Sequence, residues 1–325
     1  MQVQAKEGGL VRAGAHSLSL LAAPLNAQVL GALVDGPVPL ADLRRAAGFP
    51  PPTTMRTHLR ALVAAGILER RQRREFPGPV EYELAPAGRD LLGVAEVLDH
   101  WLQRAPHEPL RLGGNAARSA AKAVAEGWSS GIVRALASRP LALTDLSRLI
   151  NGLSYPSLER RLGAMRAAEL IEPCASDGRG RPYAITRWLR VAVAPLAAAA
   201  RWERKHLQRD TPPIRRLDIE AAFLMALPLV VIDGSRSGVC RLTVDGISDQ
   251  RHAGVMVNVQ AGRVASCVTR LEGPADASAS GSASAWMGAV LQGDPSRLEL
   301  GGERALAGAL VTGLKQAIFG PLTDE

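Results

Sequence analysis

Thr53, Thr54, Arg56, Thr57 and Arg60 fall on one side of a helix if Met55, Leu59 and Leu62, spaced by four and three, are its buried stripe. Hydroxyls and guanidiniums on a free helix face can hydrogen-bond base edges and phosphate oxygens. A second face of this kind carries Ser157, Arg160 and Arg161 opposite Leu158, Leu162 and Met165. Two more basic sets sit in polar stretches: Arg70, Arg71, Arg73 and Arg74 in RRQRREFPGP, and Arg179 and Arg181 in ASDGRGRP. Placed at hairpin tips, such guanidiniums reach a neighbouring backbone or minor groove.

Other chemistry is poorly provided for. Cys174, Cys240 and Cys267 are scattered without a C-x-x-C, and the six histidines have no ligand spacing, so neither a disulfide framework nor a metal site is expected. No P-loop, G-x-G-x-x-G after a strand, H-E-x-x-H or G-x-S-x-G occurs, Ser235 in IDGSRSG reads as a polar turn, and no catalytic residue or cofactor is expected. Cys174 is expected to be buried or idle.

The elements that position the two basic faces occur twice. Sliding the chain by 103 positions puts Leu33 on Leu136, Pro37 on Pro140, Leu40 on Leu143, Asp42 on Asp145, Leu59 on Leu162 and Ile67 on Leu170 without a gap. An offset that long exceeds the ~20 to 50 residues of a solenoid and implies two copies of one compact unit. Each copy reads as a helix (Val29 to Val34; Ile132 to Ala137) stopped near a proline, a second short helix, and a Gly/Asn/Pro turn. A third helix then opens at Thr53-Thr54 or behind Ser154 as N-cap, and an alternating hairpin closes the unit with Tyr82 and Leu84, or Tyr183 and Ile185. This is the grammar of a winged helix-turn-helix. Residues 1–210 hold 29 basic and 19 acidic side chains and residues 211–325 hold 10 and 12, so the whole excess of +8 lies in the repeated part, as a polyanion-binding surface requires.

The closing stretches YELAPAGRDLLGVAEVLDHW and YAITRWLRVAVAPLAAAARWERKH resemble the Y-x-L-T-P-x-G strand and Trp-terminated helix of HxlR-type, MarR-like winged-helix regulators. In that class the terminal helix pairs two subunits. Tyr82 to Tyr183 and Trp101 to Trp202 both step by 101. The second copy departs in having Thr186-Arg187 where Pro86 would fall, and no cysteine precedes Cys174 to match the N-terminal thiol sensor of some members. From Ile219 the pattern changes to LPLVVIDG, GVCRLTVDG and AGVMVNVQAGRVASCVTR, read as strands, with alternation at Val264, Ser266 and Val268. A Ser/Ala-rich segment, DASASGSASA, then precedes a helix from Ala285 to Leu291 and a final amphipathic helix. This tail resembles the sterol-carrier-protein-like fold, which implies an antiparallel sheet and helices around an apolar cavity, with Leu242, Val255, Val257, Trp286, Met287, Val290 and Leu314 as its lining.

The expected architecture is therefore an α+β multidomain chain: two tandem winged helix-turn-helix units over residues 1–107 and 108–210, and a sterol-carrier-like unit over 211–325. The expected partner is double-stranded DNA, read by both units as an intramolecular pseudo-dimer in a monomer or a homodimer, with a hydrophobic small molecule as effector. A winged-helix DNA-repair enzyme and a carrier or scaffold without DNA binding are the alternatives. With no signal peptide and no run of ~18 apolar residues, no membrane association and a cytoplasmic location are expected.

Overall fold

The computed structural model describes residues 12–72, 80–126, 129–150, 152–175, 181–207, 211–247 and 250–320. The chain is mixed α+β. Its first part runs α1 (Ala15–Ala22), α2 (Pro24–Ala32), β1 (Val38–Pro39), α3 (Leu40–Ala46), α4 (Pro52–Ala64), β2 (Leu68–Gln72), β3 (Val80–Leu84) and α5 (Pro86–Leu102). The next runs α6 (Asn115–Ala125), α7 (Ser129–Ser138), α8 (Leu143–Leu149), α9 (Tyr155–Ala167), β4 (Ile171–Pro173), β5 (Tyr183–Ile185), α10 (Arg187–Val191) and α11 (Val193–His206). Both ends of α8 and α9 lie 103 residues after those of α3 and α4. The pairing Val38 to Tyr82 in the first hairpin has its counterpart in the bridge Leu141 to Tyr183.

The buried stripes are the ones the spacing predicts. Met55, Leu59 and Leu62 of α4, and Leu158, Leu162 and Met165 of α9, are buried in the same apolar core as Leu43 and Leu146, and α4 and α9 pack on β2 and β4 respectively. The capping differs from expectation. α4 starts on Pro52, not Thr53, because proline's fixed φ suits the first helical position. Ser154 is the N-cap of α9, but its hydroxyl meets Ser157 Oγ at 3.0 Å instead of a backbone N–H. α2 stops at Ala32, two residues before Val34, in a turn whose Gly36 has φ 134°.

α5 and α11 pack on each other through tryptophans. Trp101 Nε1 donates to the Trp188 carbonyl at 3.0 Å, and Trp202 Nε1 donates to the Ala87 carbonyl at 2.8 Å. Trp202 and Trp188 stand 101 residues beyond Trp101 and Ala87, so the two contacts are the same contact made in both directions. The indoles of Trp101 and Trp188 stack at 4.5 Å and 8°, and Trp188 Nε1 returns a bond to the Trp101 carbonyl at 2.8 Å. The second closing element is broken after Val191, where α5 is continuous. Pro195 removes the N–H that would bond the Val191 carbonyl, so the helix restarts at Val193. α1 crosses α11, and there Glu203, fully buried, accepts from Gly14 N (2.7 Å), Ser17 N (2.9 Å) and Ser17 Oγ (2.9 Å) at the positive end of α1.

The last part consists of α12 (Arg216–Ala226), β6 (Gly238–Ile247), β7 (Gln250–Gln260), β8 (Arg263–Val268), β9 (Ala277–Ser282), α13 (Ala283–Met287), β10 (Glu299–Gly302) and α14 (Arg304–Phe319). The sheet order is β10-β9-β6-β7-β8. It is not wholly antiparallel: β6 and β9 run parallel, from Cys240 opposite Ala277 to Asp245 opposite Ser282. β9 is the Ser/Ala-rich segment expected to be an approach to a helix; its small side chains alternate in burial and let α14 lie close. LPLVVIDG is not a strand. α12 continues to Ala226, a 3-10 turn covers Leu227–Leu229, and Val231 makes an isolated bridge to Arg263. The helix expected at Ala285 to Leu291 is α13 followed by a π-turn over Gly288–Gln292. The alternation expected at Val264, Ser266 and Val268 fails, because a register shift beside Asn258 and Val259 turns Cys267 inward and leaves Val268 exposed.

α12 seats the sheet on the second part of the chain, lying between α7 and β7. Glu220, buried, is held by Arg134 of α7 and Arg216 of its own helix. Asp218 accepts from Ser130 Oγ at 2.5 Å and faces Arg12 Nε at 3.3 Å. Burial pulls the Arg12 guanidinium below its usual range, and the Asp218 carboxylate opposes that shift.

Trp101→Ala should cost about 3 to 5 kcal/mol in urea unfolding, whereas Trp101→Phe, which keeps a ring and loses one donor, should cost about 1 kcal/mol. A cost under ~1 kcal/mol for the alanine variant would show that α5 and α11 do not depend on this contact. Asp90 supplies a pH dependence of known sign. Hydrogen bonds from Lys205 Nζ (2.6 Å) and His206 Nε2 (2.8 Å) hold its carboxyl below the usual range. Its contribution is therefore complete above the ordinary carboxylate range and is lost as pH falls through the lower folded value. Asp90→Asn should lower stability slightly at neutral pH, by under about 1 kcal/mol because the pair is largely exposed, and leave stability at the acid end unchanged, so that the acid limb of a stability-versus-pH curve flattens.

Candidate nucleic-acid interface

α4 is held from behind, which leaves its front free. His58 Nδ1 lies 3.1 Å from Asn26 Oδ1, and Asn26 in turn donates to the Leu20 carbonyl at 3.1 Å, so the flank of α4 is tied to α2. The turn ahead of α4 is fixed by Arg44, whose Nε donates to the Pro50 carbonyl at 2.9 Å. Its carbonyl accepts from Phe49 N at 2.8 Å while Phe49 sits at φ 57°. Thr53, Thr54, Arg56, Thr57 and Arg60 are all exposed on the opposite side. The Thr57 hydroxyl donates to the Thr53 carbonyl at 2.9 Å, so it can offer a further partner only its acceptor lone pair and its methyl.

The hairpin alters the expected basic tip. β2 extends to Gln72, so Arg70 and Arg71 are strand residues and not part of a loop. Arg71 Nη2 lies 2.5 Å from Glu83 Oε1 across the hairpin and 3.7 Å from Glu69, so it sits in an exposed ion-pair cluster. Arg70 is exposed. Arg73 and Arg74 lie outside the described residues, as does Arg179 of the second hairpin; Arg181 is exposed beside it.

On α9 the corresponding face is different. At the offset of 103, Arg56, Thr57 and Arg60 become Glu159, Arg160 and Gly163. Glu159 and Arg160 are exposed, and Ser157 is half-buried beside Ser154. Arg161, expected on the free face, pairs with Glu126 at the end of α6 and is only 20% exposed. At these three positions α4 thus presents two guanidiniums and no carboxylate, and α9 one of each, with Arg166 exposed further along α9. Two exposed aromatics were not singled out from sequence: Phe49, 63% exposed in the turn before α4, and Tyr155, 47% exposed at the start of α9. Phe49 is signalled only by an apolar residue inside a GFPPP turn, and Tyr155 by its place next to the N-cap.

The expected apolar lining divides in two. Trp286, Met287, Val290 and Leu314 border a pocket of about 140 Å³. Leu242, Val255 and Val257 do not. They are fully buried between sheet and helices, on the inward face that strand alternation gives them. Trp286 is fixed by its Nε1 donating to the Thr243 carbonyl at 2.7 Å and by an edge-on contact with Phe223 at 5.1 Å. Among the described residues no cluster of three or more His, Cys, Asp or Glu could hold a metal ion, and no helix is long and apolar enough to cross a membrane.

Three helices, a turn that aims the third, and a hairpin beside an arginine-bearing face define a helix-turn-helix unit with a wing. Residues 23–108, from α2 to beyond α5, match the family of HxlR-like helix-turn-helix proteins. No curated protein matches the chain.

The cysteines allow a direct check on the packing of the sheet. Burial pushes the Cys240 thiol up to about 12, so almost no thiolate forms at neutral pH. Iodoacetamide at pH 8 should leave Cys240 unmodified in the folded protein and alkylate it fully in urea. Half-buried Cys174 is the site expected to react first. Rapid native labelling of Cys240 would contradict this seating of β6.

Proposed function

We propose that the chain is a DNA-binding transcriptional regulator in which α4 is the principal reading helix, lying in the major groove of double-stranded DNA. The observation that carries this reading is the outward face of α4, Thr53, Thr54, Arg56, Thr57 and Arg60, on residues that match an HxlR-like helix-turn-helix. Arginine offers bidentate bonds to guanine, and threonine offers its methyl to thymine. Arg70 would lie along the adjacent phosphates.

The parts of the chain at 1–107 and 108–210 are read as tandem winged helices joined as an intramolecular pseudo-dimer, and 211–325 as a sterol-carrier-like unit that senses a small apolar molecule. Support for the pseudo-dimer is the reciprocal Trp101 and Trp202 contact, made between the helices that pair subunits in the resembled class. α9 then reads a half-site unlike that of α4, with Arg160 and Glu159 as its charged contacts and Arg181 on the backbone. Glu159 accepts from a cytosine amine and is repelled by phosphate, so the second half-site is the weaker one. The tail, which lacks the basic excess, has no part in contacting the duplex.

Selection of bound DNA from a random pool should return two unlike half-sites. On that site Arg56→Ala and Arg60→Ala should each cost about 1 to 3 kcal/mol and relax preference at one position. Arg160→Ala should cost less, and Arg161→Ala, whose guanidinium is already engaged by Glu126, should leave affinity within a factor of about two. Undiminished binding by the Arg56→Ala, Arg60→Ala double variant would sink the reading.

A further inference from the structure

The pocket beside Trp286 does not lie inside the last unit. One wall is α11, through Leu196 and Ala197; the other walls are Ala222 of α12 and Trp286, Met287 and Val290 after β9. The site therefore exists only where the closing helix of the second part meets the tail. Anything bound there touches the helix that packs against α5.

Size and charge restrict the occupant. A volume of about 140 Å³ is close to the ~150 Å³ of an apolar cavity that accepts benzene and below the ~300 Å³ that drug-sized ligands need, so the pocket encloses a single small ring and cannot enclose a whole sterol or long acyl chain. Arg12 and Asp218 are the charged groups on the lining. They form a neutral pair at 3.3 Å whose members already have partners: Arg12 Nη1 donates to the Val124 carbonyl at 3.2 Å, and Asp218 accepts from Ser130. A third charge would be buried without a counter-ion, at a cost no apolar contact here offsets. A single hydroxyl could instead donate to Asp218 or accept from Arg12.

We propose that this junction is a binding site for a neutral, benzene-sized apolar molecule bearing at most one hydroxyl, and that its occupancy changes DNA affinity through α11. The second half of that statement rests on the regulator reading above; the first does not. The ligand acts by differing in affinity for the two settings of α11 against α12 and α13.

The full chain is titrated with toluene, benzyl alcohol, benzoate and 1-dodecanol, with thermal unfolding read in the absence of DNA. Toluene and benzyl alcohol should raise Tm by at least about 2 °C near saturation, and benzoate and dodecanol should not. Ala222→Phe should abolish the shift by filling the pocket, and Met287→Ala should extend it to naphthalene. No shift with either neutral probe, a shift with benzoate alone, or shifts indifferent to both substitutions would overturn the site. Titration of the selected DNA is then repeated with saturating toluene, where a change in Kd of about fivefold or more is expected. Unchanged DNA affinity with toluene bound overturns the coupling, whereas a chain that binds no DNA at all overturns the regulator reading and leaves the pocket standing.

Discussion

The contact on which the architecture depends is the exchange between α5 and the α10–α11 pair. Indole N–H groups are donors that cannot be left unpaired in a dry interface, and here each finds a main-chain carbonyl of the facing element. The Trp188 and Trp101 carbonyls lie among the last four of α10 and α5, which a helix end leaves without an internal partner, whereas the Ala87 carbonyl, in the first turn of α5, takes the indole on its second lone pair. The stack of Trp101 on Trp188 excludes water from the same place. Direction is fixed as well as affinity, because a slide of one helix past the other would strand all three donors together. Gly88 serves the same packing from below: a Cβ there would come within 2.2 Å of the Ile67 carbonyl, so the start of α5 can lie on the hairpin only without a side chain.

A second, more polar device attaches the tail. Asp218 and Glu220, two residues apart on α12, each meet groups from the preceding part of the chain: Arg12 and Ser130 for one, Arg134 for the other. Buried ion pairs seldom add much net stability, since desolvation offsets the attraction, but breaking one leaves an uncompensated charge. Their effect is to permit one seating of α12 between α7 and β7 and to penalise others. Phe319, at the end of α14, borders both α5 and α11 and so adds an apolar contact between the tail and that helix pair.

Much of this was legible in the residues and some was not. Prolines at 37 and 140, aspartates at 42 and 145 and the apolar triplets of α4 and α9 mark turns, helix starts and buried stripes through local chemistry, and local chemistry survives folding. β9 was missed because Ser and Ala carry no strand signal of their own; its place is set by pairing with β6 and β10. The ion pairs of Arg71 and Arg161 were not legible for a related reason. Their partners, Glu83 across a hairpin and Glu126 at the end of another helix, become neighbours only in three dimensions. Three of the seven expected lining residues, Leu242, Val255 and Val257, lie away from the pocket beside Trp286, because alternation distinguishes inward from outward and cannot distinguish a filled interior from a hollow one.

One covalent fact about the helix pair has a kinetic side. α5 and α11 belong to a single polypeptide, joined by the segment through α6 to α10, so their meeting is intramolecular whatever the abundance of the chain. Dilution does not separate them. Any property that needs both is therefore first order in the number of chains, without the threshold that association of two separate subunits would impose. Arg56 and Glu159, at matching positions of α4 and α9, can also be substituted independently, because no symmetry operation obliges a change in one to appear in the other.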